Sequence, residues 1–169
     1  MNKNFIYGIA AVKFGSFTIG YIEKGSWDWG GTKPESTDVE AEQVPDAPVL
    51  TLLQRNGQIS PTFNLIQLDY QNLCQVLGGE LVASQVEIGG VTVEHTGWKA
   101  PTSLVEKVGS WTIDFVSGQT MTIPNGTLLA NLGGKLTLTE VSKVECQLKV
   151  NKPSDGGAPY EISDTPVSG

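Results

Sequence analysis

The 169-residue sequence holds one histidine, two cysteines and few charges, 17% Asp, Glu, Lys and Arg together. A lone His95, flanked by Glu94 and Thr96, cannot supply a Ser-His-Asp or Cys-His arrangement, and no spacing of carboxylates around it suggests a metal site. Gly30-Gly31-Thr32 lacks the Gly-Lys-Ser/Thr end of a phosphate-cradling loop. Cys74 and Cys146 lie too far apart in sequence to form a disulfide framework; they read as two buried thiols in a reducing setting, with a single bridge as the alternative. Basic residues never cluster, which excludes tight binding of nucleic acid through phosphate neutralisation. No run is long and apolar enough for a transmembrane helix. The short apolar stretch Phe5–Val12 is followed at once by Lys13, so it reads as a first strand rather than a leader, with synthesis in the cytoplasm. These absences point to a non-enzyme without cofactors.

Glycine, by contrast, is abundant, with 20 residues. Together with many Thr and Val residues it suits strands and turns better than exposed helices. The pattern predicts a mostly β fold, a β-sandwich or partial barrel of antiparallel strands with one short flanking α-helix at about 69–77. Phe5–Phe14 turns at Gly15-Ser16 into Phe17–Ile22. Ala47–Gln54 and Ile59–Leu68 flank Asn56-Gly57, the strongest short hairpin signal because both residues tolerate positive φ. Asp69 is placed to cap a helix whose apolar residues Tyr70, Leu73, Cys74 and Leu77 fall on one face, and Gly78-Gly79 ends it. Leu81–Ile88 and Val91–His95 form a hairpin around Gly89-Gly90. Residues 97–110 are open to two readings, a short helix from Ser103 or a loop. Further short strands follow at 110–115, 119–123, 127–132, 135–138 and 143–150. Trp111, alternating with Ile113 and Phe115, belongs to the core. The pattern Leu-x-x-x-Leu-Gly-Gly-x-Leu occurs at 73–81 and again at 128–136, either as an old duplication or as repeated turn chemistry.

Two segments lack apolar periodicity. Residues 24–48 form a long extended loop within a single β domain spanning 1–150. Glu23, Asp28, Glu35, Asp38, Glu40, Glu42 and Asp46, against Lys24 and Lys33, give the overlapping segment Glu23–Asp46 −5 of the whole chain's net −7. A long irregular segment in a compact domain is functional or disordered. Trp27 and Trp29 open it and share one face if the chain is extended there. Glu40 and Glu42 resemble a glycosidase acid pair in composition only; a solvated or partner-facing role fits their setting better. Residues 151–169 are poor in apolar residues and read as a flexible C-terminal tail, mobile or held by a partner.

The order of these features resembles the major tail tube proteins of long-tailed bacteriophages, whose fold the type VI secretion tube protein shares. The likeness covers about residues 5–150. It is carried by the N-terminal hairpin, the long loop, the helix Asp69-Tyr-Gln-Asn-Leu-Cys-Gln-Val-Leu-Gly-Gly, and the run Met121-Thr-Ile-Pro-Asn-Gly-Thr-Leu-Leu-Ala-Asn-Leu-Gly-Gly before a last strand Val144–Val150. The resemblance implies a structural subunit of a phage or prophage virion tail that self-assembles into hexameric rings stacked as a tube. Other tail proteins are its further partners, and DNA passes through without specific binding or any membrane contact. Trp27, Trp29, Glu35, Asp38, Glu40 and Glu42 are then the candidate assembly residues. The competing expectations are a secreted or surface β-sandwich binding module, with its tryptophans stacking on sugars, and another virion component.

Overall fold

The computed structural model describes residues 4–164. In chain order the elements are β1 (Ile9–Phe14), β2 (Phe17–Thr18), β3 (Glu35–Val39), β4 (Leu50–Arg55), β5 (Thr62–Leu65), α1 (Tyr70–Leu77), β6 (Glu80–Ile88), β7 (Val91–Lys99), β8 (Lys107–Phe115), β9 (Gln119–Gly133), β10 (Lys143–Val150) and β11 (Glu161–Asp164). The fold is mostly antiparallel β with one short helix. Seven strands make an open sheet in the order β2-β1-β8-β9-β10-β5, with β11 also paired to β9; it does not close into a barrel. β3-β4 and β6-β7 form two separate two-stranded ribbons.

One face of the open sheet holds the core, because alternate residues point the same way. Val12, Phe63, Leu65, Trp111, Ile113, Met121, Ile123, Val144 and Leu148 are buried there, and Leu73 and Val76 of α1 join them. Each large side chain fully removed from water contributes about 1.5–3 kcal/mol before entropy is counted. Trp111 lies at the centre, donating Nε1–H to the Gly126 carbonyl at 3.1 Å. A Cβ on Gly126 would sit 2.7 Å from the indole, so only glycine fits.

The helix forms as its sequence dictates. The Asp69 carboxylate accepts from the Asn72 amide at 2.8 Å, and Gly78 closes the other end at φ 83° with its amide donating to the Cys74 carbonyl. Its buried face is Asn72, Leu73 and Val76; Tyr70, expected on that face, is half exposed. Cys74 and Cys146 are both free thiols, Cys74 half-buried and Cys146 buried, and burial pushes the Cys146 thiol up to about 12.

Several expectations need correction. The runs 119–123 and 127–132 are one strand, β9. Trp111 faces Ile123 and Gly109 faces Gly126, so one extra residue of β9 bulges near Pro124, which has no amide to place in the ladder. Residues 135–138 are loop, with Leu136 and Leu138 open to solvent; of the two readings of 97–110 the loop holds, but only for 100–106, between the ends of β7 and β8. The two Leu-Gly-Gly copies adopt different structures, a helix running into β6 in one case and β9 running into a loop in the other. Asn56-Gly57 does not turn a hairpin between β4 and β5. Both flank one continuous limb, and Gly57 lets the Thr32 carbonyl approach to where a Cβ would lie 2.3 Å away. The loop 24–48 contains a strand, β3, which pairs antiparallel with the next strand, β4. The tail is also anchored in part. The Asn151 amide donates to the Asn125 carbonyl at 2.8 Å, Pro153 is buried, and β11 pairs with residues 119–122 of β9. That edge of β9 is free because β10 covers only 126–133. The remainder of the expected tail, 165–169, lies outside the described residues.

Candidate functional site

The first ribbon begins at a firmly built root. The Glu23 amide donates to the Asn64 carbonyl at 2.8 Å, the Asn64 amide donates to Ser26 Oγ at 3.1 Å, and Ser26 Oγ donates back to the Glu23 carbonyl at 2.7 Å. The Glu23 carboxylate accepts from Lys143 Nζ at 2.7 Å and from Asn64 Nδ2 at 3.3 Å. The hydrogen bond from Lys143 is the main reason the Glu23 carboxyl is held below its ordinary range, and the same bond raises the Lys143 ammonium.

Beyond this clasp the chain runs out as an irregular pair. Asp28 and Thr62 exchange backbone hydrogen bonds, the Ser60 amide donates to the Trp29 carbonyl, and the Thr32 amide donates to the Gln58 carbonyl. The β3-β4 ladder follows, with Thr51 Oγ1 donating to Asp38 at 2.9 Å and Arg55 3.7 Å from Glu35. A turn at Ala41–Val44 caps the far end. Every residue of β3 and β4 is exposed. Leu53 stands 72% open and Leu50 52%.

The six sequence-derived candidates therefore do not meet at one point; they mark out the ribbon from root to tip. Trp27 stacks on Phe63 with ring centroids 5.5 Å apart and planes at 17°, so it is part of the root. Trp29 meets Trp27 edge-on at 5.9 Å and tilts over Phe115 at 6.0 Å. Glu35 and Asp38 lie along β3, while Glu40 and Glu42 lie at the tip. Asp38 and Glu40 share one ribbon face by alternation, whereas Val39, Leu50 and Leu52 share the other.

The second ribbon was expected as a hairpin, but its surface was not singled out. β6 and β7 pair without a break from Glu80↔Lys99 to Ile88↔Val91. Gly89 and Gly90, at φ 60° and 80°, make the two-residue turn that matches strand twist. Alternation sorts its faces. Val86 opposes Val93 and Ile88 opposes Val91 on one face, while Gln85, Glu87, Thr92 and Glu94 occupy the other. Ile88 and Val91 are 64% and 62% exposed. The base is held by Trp98, whose Nε1–H donates to the Gly78 carbonyl at 2.8 Å, and by contact with α1. The signal that could have marked this tip is an apolar face on a hairpin for which the sequence supplies no second apolar layer.

Between the N-terminal segment and the first root lies a cleft of about 530 Å³, lined by Ile6, Ile22, Lys24, Trp27, Trp29 and Phe115 among others. Trp27 Nε1 is buried and has no hydrogen-bond partner among the described residues. An unmet buried donor costs about 1–3 kcal/mol.

His95 lies on the second ribbon opposite Ser84, exposed, in a shallow hollow with Glu94 and Thr96. Among the described residues no three His, Cys, Asp or Glu side chains gather as a metal-ligand set, and no helix is long and apolar enough to cross a membrane. Neither a protein-family model nor a curated protein matches this chain.

Proposed function

We propose that the chain is a structural subunit that assembles with copies of itself into rings stacked as a tube, the tail tube of a phage or prophage through which DNA passes without specific binding. The observation that carries this reading is the pair of two-stranded ribbons. An isolated two-stranded ribbon is marginal in water, and each here leaves both strand edges unpaired beside exposed Leu, Val and Ile. A sister copy that lies against them supplies the missing burial. The resemblance of the sequence's feature order to tail tube proteins suggests the form of the assembly. The chain's net charge of −7 suits a conduit that must not hold DNA. Catalysis has no part in this role.

Replacing residues 34–56 with a short Gly-Asn linker tests the reading. The clasp at Glu23, Asn64 and Lys143 and the Trp27–Phe63 stack stay in place. The monomer is expected to keep its stability within about 1 kcal/mol, since the excised side chains bury little. Rings and tubes are expected to vanish from electron micrographs. Tubes that persist contradict the proposal.

A second reading, a carbohydrate-binding module, is favoured by the cleft beside Trp27 and Trp29. Its weakness is that Trp27 already stacks on Phe63 and meets Trp29 edge-on, which leaves little free aromatic face for a sugar ring. A glycan-dependent shift in tryptophan emission from a protein that stays monomeric is the outcome that reading requires.

A further inference from the structure

We infer that the cleft beside Trp27 and Trp29 receives the Ile88-Gly89-Gly90-Val91 tip of the second ribbon from another copy of the chain. This rests on the self-assembly reading and gives it a specific contact.

Two observations select this occupant. The cleft walls are largely apolar, with Ile6, Ile22, Trp29 and Phe115 among them, and the ribbon tip is an apolar, uncharged knob whose Ile88 and Val91 are exposed among the described residues. Charge completes the match. Glu23 is occupied by Lys143, so Lys24 is the rim charge left over, and Glu87 sits immediately before Ile88 on the polar face of the ribbon. A tip entering end-on places its apolar face against the wall and Glu87 at the rim. The other ribbon fits badly, because its tip carries Glu40, Glu42 and Asp46 with a single lysine to meet them. Carboxylates taken out of water without partners oppose docking.

The two surfaces differ, so the contact is head-to-tail. Such a contact closes into a ring when its rotation allows and otherwise runs on as a filament.

The test places the photo-crosslinking residue p-benzoylphenylalanine at position 91 of the full chain, at concentrations where self-association is seen by sedimentation velocity. Irradiation is expected to join copies, with the link mapping by mass spectrometry to the peptide containing residues 22–29. Ile88→Asp with Val91→Asp is expected to weaken association about 100-fold or more, since two apolar side chains lose their burial. Both positions are more than 60% exposed, so the monomer's circular dichroism stays unchanged. Lys24→Glu and Glu87→Lys singly weaken association up to about 5-fold and together restore it. Assembly with crosslinks mapping elsewhere overturns the cleft contact and leaves self-assembly standing. Absence of association at any concentration overturns both.

Discussion

The two ribbons share a design and differ in how it is built. Both are two-stranded, both leave the main sheet, and both expose apolar side chains. The first is irregular and acidic at its tip, and its root adds a polar clasp, Lys143 and Asn64 gripping Glu23, to the Trp27–Phe63 stack. The second is regular, apolar on one face and fastened by a tryptophan and a helix. A polar fastening depends on pH and salt, whereas an apolar one depends on packing volume. The first ribbon therefore suits contacts that charge can tune, and the second suits contacts that exclude water.

Three changes break or sharpen that contrast. The largest effect is expected from Trp98→Ala, which removes the packing at the base of the second ribbon and leaves the Gly78 carbonyl without its donor. A loss of about 3 kcal/mol in urea unfolding is expected, at the low end for Trp→Ala because Trp98 is only partly buried. Excising residues 34–56 follows, with little change in stability but loss of assembly. A fall in stability comparable to that of Trp98→Ala instead would mean that the first ribbon is part of the fold.

The smallest effect is the pH response of the clasp. The folded Glu23 carboxyl lies below its ordinary 4.5, so its contribution is present above that value and lost as pH falls through the folded one. The folded Lys143 ammonium lies above its ordinary 10.5, so its contribution is complete below that value and lost as pH rises through the folded one. Lys143→Met should flatten both limbs of a stability–pH profile and lower its middle only slightly, as befits a pair that is a quarter to a third exposed. No corresponding change is expected at the base of the second ribbon, which Trp98 fastens.

What the sequence disclosed follows the range of each interaction. The helix was legible because its signals are local: Asp69 caps it, Leu73 faces inward, and Gly78 ends it. The hairpin at Gly89-Gly90 was legible for the same reason. The first ribbon was not, because Glu35 pairs with Arg55 and Thr37 with Leu52 across a long excursion, and a fully exposed strand has no buried face to impose alternation. Asn56-Gly57 misled because its glycine answers a close approach to Thr32 rather than a turn. β11 escaped notice because its place depends on an open edge of β9. For the candidate site, the acidic residues and the two tryptophans marked the first ribbon, but the stacking of Trp27 on Phe63 depends on a contact remote in sequence. The apolar tip at Ile88 and Val91 has the sequence of any strand end, and only its exposure among the described residues sets it apart.

Hydrogen exchange at the backbone amides of β3, β4, β6 and β7, measured before and after concentration-driven assembly, tests the central claim most directly. Exposed two-stranded ribbons are expected to exchange fast in the monomer, well ahead of β9 and β10, and to gain strong protection in the assembled form. Ribbons already protected in the monomer, or equally labile in the assembly, contradict the claim that sister copies complete them.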